Sequence, residues 1–295
     1  MRITLLGTGC PSVHPRRYGA SQLIEGGGAK VLVDCGNGCT QRLVQAGHSP
    51  ASVDALLVSH LHSDHLVDLW QLVVAGWHAG RPYPLRVFGP APVVAHARAL
   101  REAWDDERAQ RMAFEQRPNA EALDVELVEI VAGQTVQLGA LEVRAVEVDH
   151  RPVVPALGFV FEADGQRLVL SGDTRPAPAL VAAAADCDLL VHEVFAHRVF
   201  QPIEGVRSAA TVEAVAGYHT LSTDVGGIAE AARAKALLLT HIVPPDADPG
   251  GLLADARATY AGPVVVGEDL LCVDLSESTV HWQGMVLTLG ATAGR

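Results

Sequence analysis

Short apolar runs closed by glycine turns alternate along this chain with stretches in which apolar residues recur at helical spacing. Ile3–Leu6 runs into Gly7-Thr8-Gly9, which predicts a first strand and a tight turn. Ser21–Ile24 and Lys30–Asp34 flank Gly26-Gly27-Gly28, the pattern of a hairpin. Cys39–Ala46 reads as a helix stopped by Gly47, and Leu66, Leu69, Trp70, Val73 and Trp77 fall on one helical face. Strand-like runs return at Asp124–Ile130, Leu141–Val148, Ala156–Glu162 and Arg167–Leu170. A helix at Ala179–Ala185, a strand at Asp188–Val191, a helix opened by Ser222 or Thr223 with Asp224, and a strand at Ala236–Leu239 follow. A helix near Leu252–Tyr260 and further β-runs close the chain. This alternation, rich in hairpins, predicts an α/β chain with two mixed sheets packed together and helices outside.

Four of the apolar runs lead into polar residues that can bind a metal. Ala55–Val58 leads to His60, and Leu168–Leu170 leads through Ser171-Gly172 to Asp173. Leu189–Val191 leads to His192-Glu193, and Leu237–Leu239 leads through Thr240 to His241. Ligands at the carboxyl ends of strands in α/β sheets converge on one rim. Residues 60–65 read His-Leu-His-Ser-Asp-His. Imidazole and carboxylate are donors for borderline divalent ions such as zinc. One ion cannot take all four donors from so short a turn, so His60/His62 and Asp64/His65 imply two ions side by side. His150, after Val148-Asp149, and Asp173 and His241 gain weight because such a pair needs more ligands than the cluster supplies.

Almost half of the 295 residues are apolar, enough for a large core. No apolar stretch approaches the length of a membrane span, and the first residues read as a strand rather than a signal peptide. The five cysteines, without an export signal, suggest reduced thiols and a cytoplasmic protein. Cys35 and Cys39 read as small buried residues beside a glycine turn. The net charge of −12 argues against long polyanions such as nucleic acid as partners, and the partner expected is a small anionic ester. Arg16 and Arg17 read as surface residues or as contacts for such a substrate. Asp34 and Ser59 are equally candidates for turn caps and for groups that orient the ligand histidines. Residues 194–218 are more apolar than a solvated loop needs, which suits a pocket wall or the contact of a homodimer.

These motifs resemble one known group. Leu6-Gly7-Thr8-Gly9, Val33-Asp34-Cys35-Gly36-Asn37-Gly38, Ser59–His65, Val148-Asp149-His150, Ser171–Pro176, His192-Glu193 and Leu239-Thr240-His241 are similar to the ribonuclease Z and arylsulfatase-like branch of the metallo-β-lactamase-fold hydrolases. The resemblance implies one domain over residues 1–295, a four-layer αβ/βα sandwich with two divalent ions, zinc first and manganese or iron as alternatives. It implies that His60, His62 and His150 hold one ion, Asp64, His65 and His241 the other, and that Asp173 bridges them. Glu193 and His219 match a pair that assists proton transfer, and with Asp64 they form the expected catalytic set. Thr220 and Leu221 stand where that branch carries serine and threonine. Transfer-RNA processing members carry a long basic arm, in many bacteria between the positions of His150 and Asp173. Here that interval holds two strands and the Ala163-Asp164-Gly165 turn. The expected reaction is therefore hydrolysis of a small phosphodiester by a metal-activated water. A sulfatase or lactonase with the same site, ribonuclease Z itself, and a metal-binding redox protein are the alternatives.

Overall fold

The computed structural model describes residues 1–290. Sixteen strands among them form two mixed sheets. The first contains β1 (Arg2–Gly7), β2 (Ser21–Gly26), β3 (Ala29–Val33), β4 (Ala55–Leu57), β5 (Leu85–Gly89) and β6 (Val125–Glu129). The second contains β7 (Thr135–Leu138), β8 (Leu141–Glu147), β9 (Leu157–Ala163), β10 (Gln166–Leu170), β11 (Leu189–Phe195), β12 (Leu237–Val243) and β13 (Val264–Val266). β14 (Cys272–Asp274), β15 (Thr279–Trp282) and β16 (Met285–Thr288) return to the first sheet beside β1. Its order is β16-β15-β14-β1-β2-β3-β4-β5-β6, and that of the second is β13-β12-β11-β10-β9-β8-β7.

The apolar faces of the two sheets meet in one core. Leu57, Val143, Phe159, Phe161, Leu168 and Val191 have no exposure there. Burying each such side chain contributes about 1.5–3 kcal/mol. The outer faces are covered by helices, as the alternation of strand and helix requires. α1 (Cys39–Gln45), α2 (Leu69–His78) and α3 (Ala91–Ala103) cover the first sheet. α4 (Asp105–Glu115) is a polar helix in which only Arg108 is buried. α5 (Pro178–Ala183), α7 (Ser222–Ala231) and α8 (Pro249–Arg257) cover the second sheet. α6 (Ala209–Ala216) lies within the 194–218 segment. Helix, sheet, sheet, helix is the expected four-layer arrangement.

Strands β3 to β6 run parallel, as do β10 to β13. Their carboxyl ends open on one rim, where the backbone of Ser59 accepts a hydrogen bond from Leu157 N at 3.0 Å and links the sheets. Two strands run further than their apolar runs predict. β11 and β12 do not stop before His192 and His241 but continue to Phe195 and Val243. Glu193 pairs with Thr240 and Val194 with Ile242, so His241 is the extra residue of a bulge. It takes φ 41°, a left-handed conformation uncommon for a non-glycine residue. Ser222 is not the cap of α7 either. Leu221 holds that position, and the buried Ser222 Oγ donates to Asp255 Oδ2 at 2.6 Å.

Candidate metal centre

The turn after β4 carries four donors into the rim. His62 precedes one turn of 3-10 helix, Ser63–His65, which sets Asp64 and His65 inward while His62 stays half-buried. Gly36 makes that turn possible, because a Cβ there would come within 2.2 Å of the Asp64 carbonyl oxygen. His150 follows β8, Asp173 follows β10, and His241 stands on the bulge of β12.

Two groups result. Ligand atoms of His60, His62, His150 and Asp173 lie within 4.8 Å of one another, as do those of Asp64, His65 and His241. In the first, His62 Nδ1 is 3.0 Å from His60 Nε2 and 3.2 Å from His150 Nε2. In the second, Asp64 Oδ2 is 3.5 Å from His65 Nε2 and 3.3 Å from His241 Nε2. Asp173 Oδ2 belongs to both. It lies 3.3 Å from His65 Nε2, 3.2 Å from His241 Nε2, and 3.8 Å from Nε2 of both His60 and His150.

These separations suit co-ligands better than hydrogen-bond partners. Atoms about 2.0–2.2 Å from a tetrahedral ion lie roughly 3.3–3.6 Å apart. His65 Nε2 and Asp64 Oδ1 are buried and make no hydrogen bond, a costly state unless something else occupies them. Three imidazoles with a carboxylate, and two imidazoles with a carboxylate, fit borderline divalent ions. The donors present therefore fit a pair of such ions.

The surrounding groups fix the tautomers. Asp34 Oδ2 accepts from His65 Nδ1 at 2.8 Å and from Ser59 Oγ at 2.9 Å, and Asp34 Oδ1 accepts from Ser59 N at 2.8 Å. With Oγ donating to Asp34, His60 Nδ1 is left to donate to Oγ at 2.9 Å. His150 Nδ1 donates to the Tyr218 carbonyl at 2.9 Å. Each of these rings thus turns its Nε2 towards the groups described above. Asp34 and Ser59 contact the histidines directly, so turn capping is not their only part.

Burial holds His60 well below the usual imidazole range, and neighbouring His65 adds to it. Burial likewise lowers His62 and His150. Neutral rings of this kind are the form that binds metal. Burial would lower His65 too, but Asp173, Asp34 and Asp64 outweigh it and raise that ring well above its ordinary value. Burial would raise Asp173, yet His241 and His65 hold its carboxyl well below the usual range.

Glu193 and His219 meet beside this cluster. His219 Nδ1 donates to Glu193 Oε1 at 2.9 Å, and the same oxygen accepts from Thr174 N and Thr220 N at 3.0 and 3.2 Å. Burial opposes a charge on His219, but Glu193 outweighs it and raises the ring. Phe195 lies parallel to the His219 ring at 6.2 Å. Phe195 and Phe200 pack with Cys10 and Val243, with Val212 and Val215 of α6 against them. The apolar 194–218 segment thus backs His219, while Val199, Ile203 and Val206 remain exposed. His219 also comes within 4.8 Å of Asp173 and His241 in a third possible donor group.

Three features were not read from the sequence. Arg17, expected at the surface, is buried and donates to Thr8 Oγ1, Gly267 O and Glu268 Oε1. Tyr218 lends its carbonyl to His150 and stands edge-on to that ring at 5.0 Å, and its position next to His219 was the available signal. His192 is fully buried with Nε2 unpartnered and Nδ1 donating to Glu193 O at 2.8 Å. Cys35 and Cys39 are buried beside the glycine turn, as expected, and join no donor group among the described residues.

Residues 1–205 match the family model described as anti-Pycsar protein Apyc1. A protein named ribonuclease Z from Mycobacterium bovis (strain BCG / Pasteur 1173P2) is 34% identical over 281 residues, covering 93% of this chain and 98% of the relative. The chain belongs to this family, on the ribonuclease Z-like branch of the metallo-β-lactamase fold. Among solved structures it is similar to the metallo-β-lactamase fold protein YhfI of Bacillus subtilis, with TM-score 0.68 and 20% identity over 92% of this chain and 98% of that one. It is also similar to the short form of human tRNase Z, with TM-score 0.64 and 20% identity over 93% and 99% of the two chains. Family and donor set together make it a metal-dependent hydrolase. No helix among the described residues is long and apolar enough to cross a membrane.

Proposed function

We propose that residues 1–295 form one catalytic unit, a dinuclear metal-dependent hydrolase of a small phosphodiester. The observation that carries this reading is Asp173 Oδ2, which lies 3.2–3.8 Å from four imidazole nitrogens drawn from two donor groups. His60, His62 and His150 would hold one ion, Asp64, His65 and His241 the other, and Asp173 both. Zinc is the first choice, with manganese or iron as substitutes. Two ions bound there would acidify a shared water towards neutrality and place positive charge beside the oxygens that gain charge in the reaction.

The chain's own groups would do the rest. Asp34, Ser59 and the Tyr218 carbonyl keep the ligand rings oriented. Glu193 holds His219 through Nδ1 and favours its protonated form, so the proton on Nε2 is the one available to a leaving oxygen. Phe195 and Phe200 keep the back of that pair dry.

A small substrate is favoured because β9 and β10 are joined by a tight turn between His150 and Asp173, which leaves no arm to grip a folded RNA. The charge of −12 points the same way. The relatives named ribonuclease Z favour a second reading, cleavage of precursor tRNA, since this chain spans 98% of one of them. Cytoplasmic location, and a homodimer touching through Val199, Ile203 and Val206, belong to the first reading.

The test is a panel of bis-p-nitrophenyl phosphate, p-nitrophenyl sulfate, a lactone and a precursor tRNA, with and without chelator. Chelator-sensitive turnover of the phosphodiester alone is the expected result. Activity confined to sulfate or lactone would overturn the choice of phosphorus, and site-specific cleavage of the tRNA would establish the second reading.

A further inference from the structure

We infer that Arg17 is a positioning residue for His241, because one guanidinium nitrogen ties together the two turns that grip β12 on either side of its bulge. Arg17 Nη1 donates to Thr8 Oγ1 and to the Gly267 carbonyl, both at 2.7 Å. The Thr8 carbonyl accepts from Ile242 N at 2.8 Å, and Gly267 N donates to the Leu239 carbonyl at 2.8 Å. Leu239 and Ile242 are the residues that bracket Thr240-His241. The backbone on both sides of His241 is therefore anchored to the same buried cation.

His241 needs such an anchor. Its φ of 41° is a strained conformation that persists only where the surroundings impose it. The bulge leaves it without a partner in the pairing of β11 with β12. Its ring must nevertheless carry Nε2 to 3.3 Å from Asp64 and 3.2 Å from Asp173. Arg17 is itself held rigidly. Glu268 Oε1 accepts from Nη2 at 2.7 Å, and Asp269 Oδ1 accepts from both the backbone and the hydroxyl of Thr8 at 2.9 and 2.8 Å. Since Thr8 Oγ1 donates to Asp269, its lone pairs face Arg17. A lysine could supply charge but not this planar fork. The inference rests on reading His241 as a ligand of the second ion.

The test uses the full chain with Arg17→Met, Arg17→Lys and Thr8→Val, the last replacing the hydroxyl by a methyl group. Arg108→Met, a buried arginine on α4, serves as control for general destabilisation. Zinc bound per chain is measured by equilibrium dialysis, and the ring signals of nitrogen-labelled histidine are recorded in the metal-free protein. Arg17→Met and Thr8→Val should weaken the second ion about 10- to 100-fold, leave the first unchanged, and shift the His241 signals. Arg17→Lys should recover part of the loss, and Arg108→Met should change neither readout. Wild-type zinc binding with unmoved His241 signals in both Arg17→Met and Thr8→Val would overturn the inference, as would the same losses in Arg108→Met. Thr8→Val decides the matter should Arg17→Met fail to fold. A wild-type protein that binds a single ion would instead sink the two-ion reading, and the His241 signals would still decide the part of Arg17.

Discussion

His219 donates from Nδ1 to Oε1 of Glu193 at 2.9 Å, and that carboxylate oxygen is also held by two backbone N–H groups. The pair is anchored on one side to the turn after β10 and on the other to the start of α7. Glu193 is the group that favours the protonated form of His219.

The pH dependence of turnover should follow from this. The His219 ring is raised above its ordinary value, so its acid form persists at higher pH and is lost as pH rises through that raised value. Glu193→Gln removes the carboxylate charge, so the alkaline fall in kcat should move to lower pH. His219→Ala should lower kcat by about 10²-fold or more on a substrate with a poor leaving group. It should do much less to a p-nitrophenyl ester, whose leaving oxygen needs no proton. Equal losses on both substrates would exclude proton delivery by His219.

Asp34 offers a second test, because it touches His65 Nδ1 and reaches His60 through Ser59. Asp34→Ala should weaken metal binding about 10- to 100-fold without removing a ligand. Competition against a zinc chelator would measure this, and unchanged affinity would return Asp34 to the part of a turn cap.

Gly172 immediately precedes Asp173, takes φ 61°, and faces the Leu157 carbonyl, which an added Cβ would approach to 2.5 Å. Gly172→Ala should therefore displace the shared carboxylate as well as strain the turn. The expected outcome is loss of stoichiometric metal together with a fall in melting temperature. A variant that binds as much metal as wild type would show that the turn tolerates the shift.

His192 gives a prediction independent of metal. Burial lowers its ring below the ordinary imidazole value. As pH falls through about 6.5, the unfolded chain takes up a proton that the folded chain refuses. The sign is loss of stability on acidification, approaching about 1.4 kcal/mol per pH unit for this one group. His192→Phe should remove that component, so the stability gap between wild type and variant should change with pH across this range. Parallel curves from urea unfolding of the two metal-free proteins would refute it.

The histidine cluster was legible because its donors are neighbours in sequence and the chain itself brings them together. Strands and amphipathic helices such as α2 were legible from periodicity. α3, α4, α6 and the strands β5 and β7 were not, since α4 buries little beyond Arg108 and β7 is a short edge strand. His192-Glu193 and His241 read as strand ends because polar residues follow apolar runs. Only the register shift in β11–β12 shows that the strands continue past them. Arg17 looked exposed because a lone arginine in a loop carries no sign of the acceptors that will bury it.

What the sequence by itself determined is the inventory of donors, the tight spacing of His60 to His65 and the alternation of strands and helices. Short-range covalent geometry and periodic burial leave little freedom there. Only the tertiary structure decided that His241 would reach Asp64 across 177 residues, and that the rings would turn Nε2 inward. It also decided that one buried arginine would clasp the bulge between Leu239 and Ile242. Such meetings depend on how two sheets stack and which buried polar atoms find partners, and the energies that select them come from contacts between segments far apart along the chain.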